Sequence, residues 1–191
     1  MTVRTADVKV CRLTSPWRVG ARRIVETVLE LARTAWAMAT AALIGVFLWA
    51  AVALPERVPQ HVDVDGVVTE WSSRAAFLGS MGIAIVMSSV LGPLARGISR
   101  SMSLDMVNVP FKDRWLPDHE PELRRRVATD LYAVGAAVSV MLAAIQAGLV
   151  VVALGAPTMP TWSSGIAIVA GIGLGLVVLA MVSTRYRRPG D

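Results

Sequence analysis

Apolar residues fall in four long uncharged runs, and polar residues gather between them. Trp36–Leu54, Ala75–Ala95, Leu131–Leu154 and Gly165–Ser183 contain no Asp, Glu, Lys or Arg. Each run is about long enough to cross a hydrocarbon layer of ~30 Å as a helix rising roughly 1.5 Å per residue. The pattern predicts an all-α membrane protein with four transmembrane helices, over about residues 36–54, 75–95, 131–154 and 165–183. Ahead of the first run, Val25, Val28, Leu29 and Ala32 recur at helical spacing, with Arg22, Arg23, Glu26, Glu30 and Arg33 on the other faces. That spacing suits either an N-terminal amphipathic helix on the membrane surface or a plain extension of the first span. Residues 1–19 show no sustained period. The expected organisation is a basic arm with the amphipathic helix over 1–34, a four-helix membrane domain over 35–183 and a tail over 184–191.

Within the runs a few residues stand out. Pro55 stops the first helix, and Pro93 loosens the end of the second. Trp36 and Trp49 lie towards the two ends of the first run, where indole rings prefer the headgroup region. Ala51-Val52-Ala53 resembles a signal-peptidase site, but the long basic lead and the span-length run predict that it stays uncleaved. Glu120–Asp130 reads as a helical lead into the third span, with acids early, as the helix dipole favours. Gln146 is the one strongly polar side chain of that span, and an interhelical hydrogen bond is its expected role. Gly171 and Gly175 form a GxxxG pair that permits close helix approach, within the chain or to a second copy.

Composition agrees with this picture. Of 191 residues 54% are hydrophobic and only 17% are charged, too few to cover a soluble domain of this size. The net charge of +5 does not imply nucleic acid, since no basic patch is interleaved with aromatics on a soluble domain. Of the 19 basic residues, only Arg57 and Arg74 lie between the first and second runs, and none lies between the third and fourth. The remainder sit in the N-terminal arm, in the connector Arg96–Asp130 and in the tail. The positive-inside bias therefore predicts a multi-pass protein of the bacterial cell membrane with both termini and the connector in the cytoplasm. Leu54–Arg74 and Gly155–Ser164 fall outside. Cys11 is the only cysteine, which excludes an intrachain disulfide.

The outer stretch Leu54–Arg74 holds the available chemistry. Val62-Asp63-Val64-Asp65-Gly66-Val67-Val68 alternates towards an Asp-Gly turn, which predicts a small extracellular hairpin loop with Trp71 anchoring its return. On a strand, His61, Asp63 and Asp65 would share a side, and with Glu70 they are ligand-type residues. No motif with metal-site spacing is present, and the Asp-x-Asp-Gly run lacks the rest of a calcium loop. The structural reading is a solvated turn whose acids hydrogen-bond their own backbone. No metal, no cofactor and no catalytic residue is predicted. The four runs hold no acid or base, which argues against an ion-coupled carrier.

The run Leu54-Pro55-x-x-Val58-Pro59-x-His61, followed by Asp63, Gly66 and Trp71, resembles the signature of a bacterial membrane domain, domain of unknown function 1648. Members read Leu-Pro, then Pro-x-His-aromatic-Asn/Asp, then Gly, then Trp with Lys three residues on. Here Val62 replaces the aromatic and Arg74 the Lys. Asn108-Val109-Pro110-Phe111-Lys112-Asp113-Arg114-Trp115-Leu116 is similar to a second pattern, Asn-x-Pro-Asn-Lys-x-Tyr-Trp-Leu, from which Phe111 and Arg114 depart. The same domain occurs in SdpI-type immunity proteins, which protect a producer from a secreted toxin and can hold a repressor at the membrane. This chain has fewer spans than those proteins, so immunity is an analogy.

The resemblance implies a non-enzymatic sensor or immunity-type binding protein. An extracellular peptide or toxin would meet Pro59, His61, Asp63, Gly66 and Trp71. A cytoplasmic regulator would meet Asn108, Pro110, Lys112 and Trp115, although interface anchoring serves Trp71 and Trp115 equally well. The lipid bilayer and a second copy of the chain are the other expected partners, and nucleic acid is not. The alternatives are a small transporter or accessory subunit of a larger membrane complex, and a metal-dependent enzyme built on His61, Asp63 and Glu70.

Overall fold

The structure, a computed structural model, describes residues 16–104, 108–109, 111–116, 118–181, 183 and 186, with side chains from Glu26 onward. The arm before Pro16, Cys11, Pro110, the side chains of Arg22, Arg23 and Val25, and the tail apart from Tyr186 lie outside the described residues.

Four helices dominate: α1 (Pro16–Ala53), α2 (Arg74–Arg100), α3 (Glu120–Ala153) and α4 (Thr161–Ala180). All four are long and apolar enough to cross a membrane. Between α1 and α2 stands an antiparallel hairpin, β1 (Arg57–Val62) and β2 (Val68–Ser73). The expected N-terminal amphipathic helix is not a separate element, because α1 runs unbroken for 38 residues. No Pro or Gly interrupts the chain between Ala21 and Ala42, so nothing turns it out of the helix. Likewise α3 includes the acidic lead, with Glu120, Pro121 and Glu122 in its first turn. Pro93 does not end α2, which continues to Arg100.

α3 is the central helix, against which α1, α2 and α4 all pack. Its apolar window is 44% buried, whereas that of α4 is only 6% buried. Three clusters fill the interior. Ala50, Leu54, Val58, Phe77, Met81, Leu149 and Val150 form the core at the hairpin end. Ile98, Leu104, Val109, Trp115, Leu123, Val127 and Tyr186 form the core at the connector end. Ala95, Ala128 and Tyr132 lie between, with Trp36 packed on them.

Trp36 is an internal wedge as well as a terminal aromatic. Its indole donates to the Ser88 carbonyl (3.1 Å), and its ring lies against Gly92 of α2 and Gly135 of α3. A Cβ at either glycine would press into that ring, so the two helices can hold it only where they lack side chains.

The hairpin turn and the α3–α4 loop sit together at one end, where the Met159 amide donates to the Gly66 carbonyl (3.0 Å). The connector and Tyr186 meet at the other, where the Trp115 indole donates to the Tyr186 carbonyl (2.9 Å).

Candidate functional site

The hairpin is built by its turn and by two compensating irregularities. Asp63 Oδ1 accepts from the amides of Asp65 (3.0 Å) and Val67 (2.8 Å), an Asx-type turn. Gly66 then adopts φ +78°, the left-handed region that a side chain disfavours. A Cβ there would also meet the Met159 amide at 3.1 Å. Along the strands Arg57 opposes Ser73, Val58 opposes Ser72 and Pro59 opposes Trp71. Gln60 is then passed over on β1 and Thr69 on β2, so His61 faces Glu70 before register returns at Val62 and Val68. Pro59 has no amide to give to the ladder, and a bulge is where a strand tolerates it.

The first bulge creates an exposed pair. His61 Nδ1 lies 2.7 Å from Glu70 Oε2, with the side chains 64% and 60% exposed. In that setting the pair contributes no more than ~1 kcal/mol to stability, so it is free to serve binding at little structural loss. Trp71 is 51% exposed beside it, and Val64 at the turn is fully exposed. The inward side is different. Val58 and Pro59 are buried, and Val58 belongs to the hairpin-end core. Arg74, where the resembled pattern has Lys, donates from its guanidinium to the Ala51 carbonyl and so caps α1.

Of the outer residues expected from sequence, His61, Asp63, Gly66 and Trp71 lie along the exposed side of the hairpin or its turn. Pro59 has no surface to offer. Asp63 uses Oδ1 on the turn, and β1 ends at Val62, so His61, Asp63 and Asp65 do not share a strand face. Among the described residues no three His, Cys, Asp or Glu converge to hold a metal.

At the connector end Trp115 is fully buried, which takes it away from any surface partner while the structure stays closed. Arg126 stacks over its ring at 4.8 Å. Asn108 is exposed, Lys112 is half-buried and partnered, and Pro110 lies outside the described residues. Phe111 has φ 58°, an uncommon conformation for a large side chain. The resembled pattern has Asn at this position, a residue that enters the left-handed region more readily. Arg114, the second departure from that pattern, stacks on Phe111 at 4.8 Å, so the two departures touch each other.

Sequence reasoning missed two residues here. Asp130 is buried, and its Oδ2 accepts from the Tyr186 hydroxyl (2.5 Å). Arg124 donates to the carbonyls of Ile98 (2.9 Å) and Met102 (2.5 Å), capping α2, while Glu120 holds it at 2.6 Å. The one available signal for Asp130 is an acid directly ahead of an apolar run. In the helix interior, Gln146 is buried, and its Oε1 has no partner among the described residues. Gly171 meets only Met141 Sδ at 3.9 Å, and Gly175 meets nothing, so the GxxxG pair brings no helix of this chain close.

Comparison with protein-family models, curated proteins and solved structures finds no match to this chain.

Proposed function

We propose that the chain is a non-enzymatic binding protein of the bacterial cell membrane, of the sensor or immunity type. In this reading its four helices span the bilayer, its hairpin faces outward, and both termini and the connector lie in the cytoplasm. The observation that carries the binding role is the exposed His61–Glu70 pair beside the half-exposed Trp71, on a hairpin whose other side is fixed in the core. A basic, a hydrogen-bonding and an aromatic group at one rigid edge suit a peptide or toxin ligand. The orientation is supported by the near-absence of Lys and Arg at the hairpin end. The resemblance to domain of unknown function 1648 adds the immunity analogy, and it stands on the residues quoted above.

The test is survival. A toxin-sensitive bacterial host expressing the chain is challenged with a panel of secreted peptide toxins. Protection is expected with the native chain and its loss with His61→Ala or Trp71→Ala. Equal survival with and without the protein, across the panel, removes the immunity reading.

An accessory subunit of a larger membrane complex is the second reading. It draws support from α4, whose apolar window is almost entirely uncovered within the chain. Co-purification of a larger permease, lost when residues on the open face of α4 are enlarged, is its expected result.

A further inference from the structure

The proposed binding role leaves one buried contact unused. Tyr186 lies beyond the end of α4 and is 1% exposed. Its hydroxyl donates to Asp130 Oδ2, its carbonyl accepts from Trp115 Nε1, and its ring meets the indole edge-on with centroids 6.5 Å apart. These contacts outline a slot. A carboxylate lies at its floor, an indole N–H at its mouth, and Ile98, Val109, Leu123 and Val127 belong to the same apolar cluster. The slot comes from α2, the connector and α3; the occupant alone comes from the tail. A carboxylate acceptor set at phenol distance, together with a donor aimed at the main chain, specifies a tyrosine carried on a peptide.

We propose that Tyr186 is an autoinhibitory latch, filling in cis a slot that takes a tyrosine-bearing peptide segment of a cytoplasmic partner once the tail withdraws. While the latch is closed, Trp115 and Val109 are buried and the connector presents only its outer residues. When it opens, the indole and the Asp130 carboxylate become the recognition groups. This inference rests on the reading of the connector as the partner-facing segment.

The experiment uses the full chain in detergent micelles, with Cys11→Ser and a reporter thiol introduced by Val109→Cys. Maleimide labelling of that thiol tracks the fraction of open molecules. Losing the hydroxyl alone, as in Tyr186→Phe, is expected to raise the labelling rate about tenfold, and Tyr186→Ala about a hundredfold. A synthetic peptide of sequence 181–191 should then bind the Tyr186→Ala protein saturably and slow its labelling. The same peptide carrying Tyr186→Phe should bind more weakly. Val58→Cys, in the hairpin-end core, is the control thiol and should label at the same slow rate in every background.

Labelling of Val109→Cys that stays within about twofold of the Tyr186 protein would overturn the latch, since loss of a buried hydrogen bond must exceed that. Faster labelling that the peptide does not reverse would overturn the slot. A matching rise at Val58→Cys without peptide rescue would make Tyr186 a general folding residue and sink the proposal. The measurement needs no partner, so its failure is distinct from failure of the survival experiment.

Discussion

At the hairpin end Arg74, the first residue of α2, caps α1 through the Ala51 carbonyl. At the connector end Arg124, in the second turn of α3, caps α2 through Ile98 and Met102. Both ends thus close one helix with an arginine from the start of the next, which satisfies carbonyls that have no intrahelical donor. Their remaining polar groups are treated in opposite ways. The hairpin keeps His61, Glu70 and Trp71 in the open. The connector end buries Asp130, Tyr186 and Trp115 and ties them to one another. An exposed aromatic beside an ion pair is available to a ligand. A buried aromatic with its N–H already engaged becomes available only after something moves.

The contrast can be broken in order of size. Trp115→Ala should lower stability by about 3–5 kcal/mol, as for large-to-small changes in a core, while Trp71→Ala should lower it by less than ~1 kcal/mol. Thermal unfolding in detergent measures both, and similar losses would erase the distinction between the ends. Asp130→Ala leaves the buried Tyr186 hydroxyl without this acceptor and should cost about 2 kcal/mol, against about 1 kcal/mol for Asp63→Ala, whose freed amides can turn to water. Gly66→Ala should cost about 1–2 kcal/mol, from its left-handed backbone and its approach to Met159. Protease sensitivity of the hairpin should rise with it. The smallest effect has the opposite sign. Phe111→Asn relieves a left-handed backbone but loses the stacking of Arg114, so a gain of under ~1 kcal/mol is expected. A measured loss would mean that the stacking outweighs the backbone.

The helices were legible because uncharged runs of span length admit few other structures. The turn was legible because Asp65-Gly66 names a residue that tolerates φ +78°. The paired bulges were not, since only Pro59 hints at a break in the ladder, and nothing in the sequence says that Gln60 and Thr69 offset each other. Hence the meeting of His61 with Glu70 was not foreseen. Trp115 was ambiguous for a physical reason: an indole suits a membrane interface and a core equally, and its neighbours decide. Asp130 and Tyr186 stand 56 residues apart, beyond the reach of any periodicity. The separate amphipathic helix was a misreading of α1, whose mixed face simply precedes its apolar one.

Trp36, held between Gly92 and Gly135, behaves as a key in a two-walled keyway. Sliding or rotating α1 along its neighbours would drive the ring into backbone, so α1, α2 and α3 lose those degrees of freedom together and move as one block. α4 carries no such key. It follows Met159, which is bonded to the hairpin turn, and precedes Tyr186 at the far end, over a helix of about 30 Å. Mechanical compliance in this molecule is therefore concentrated in a single rod that joins its two faces.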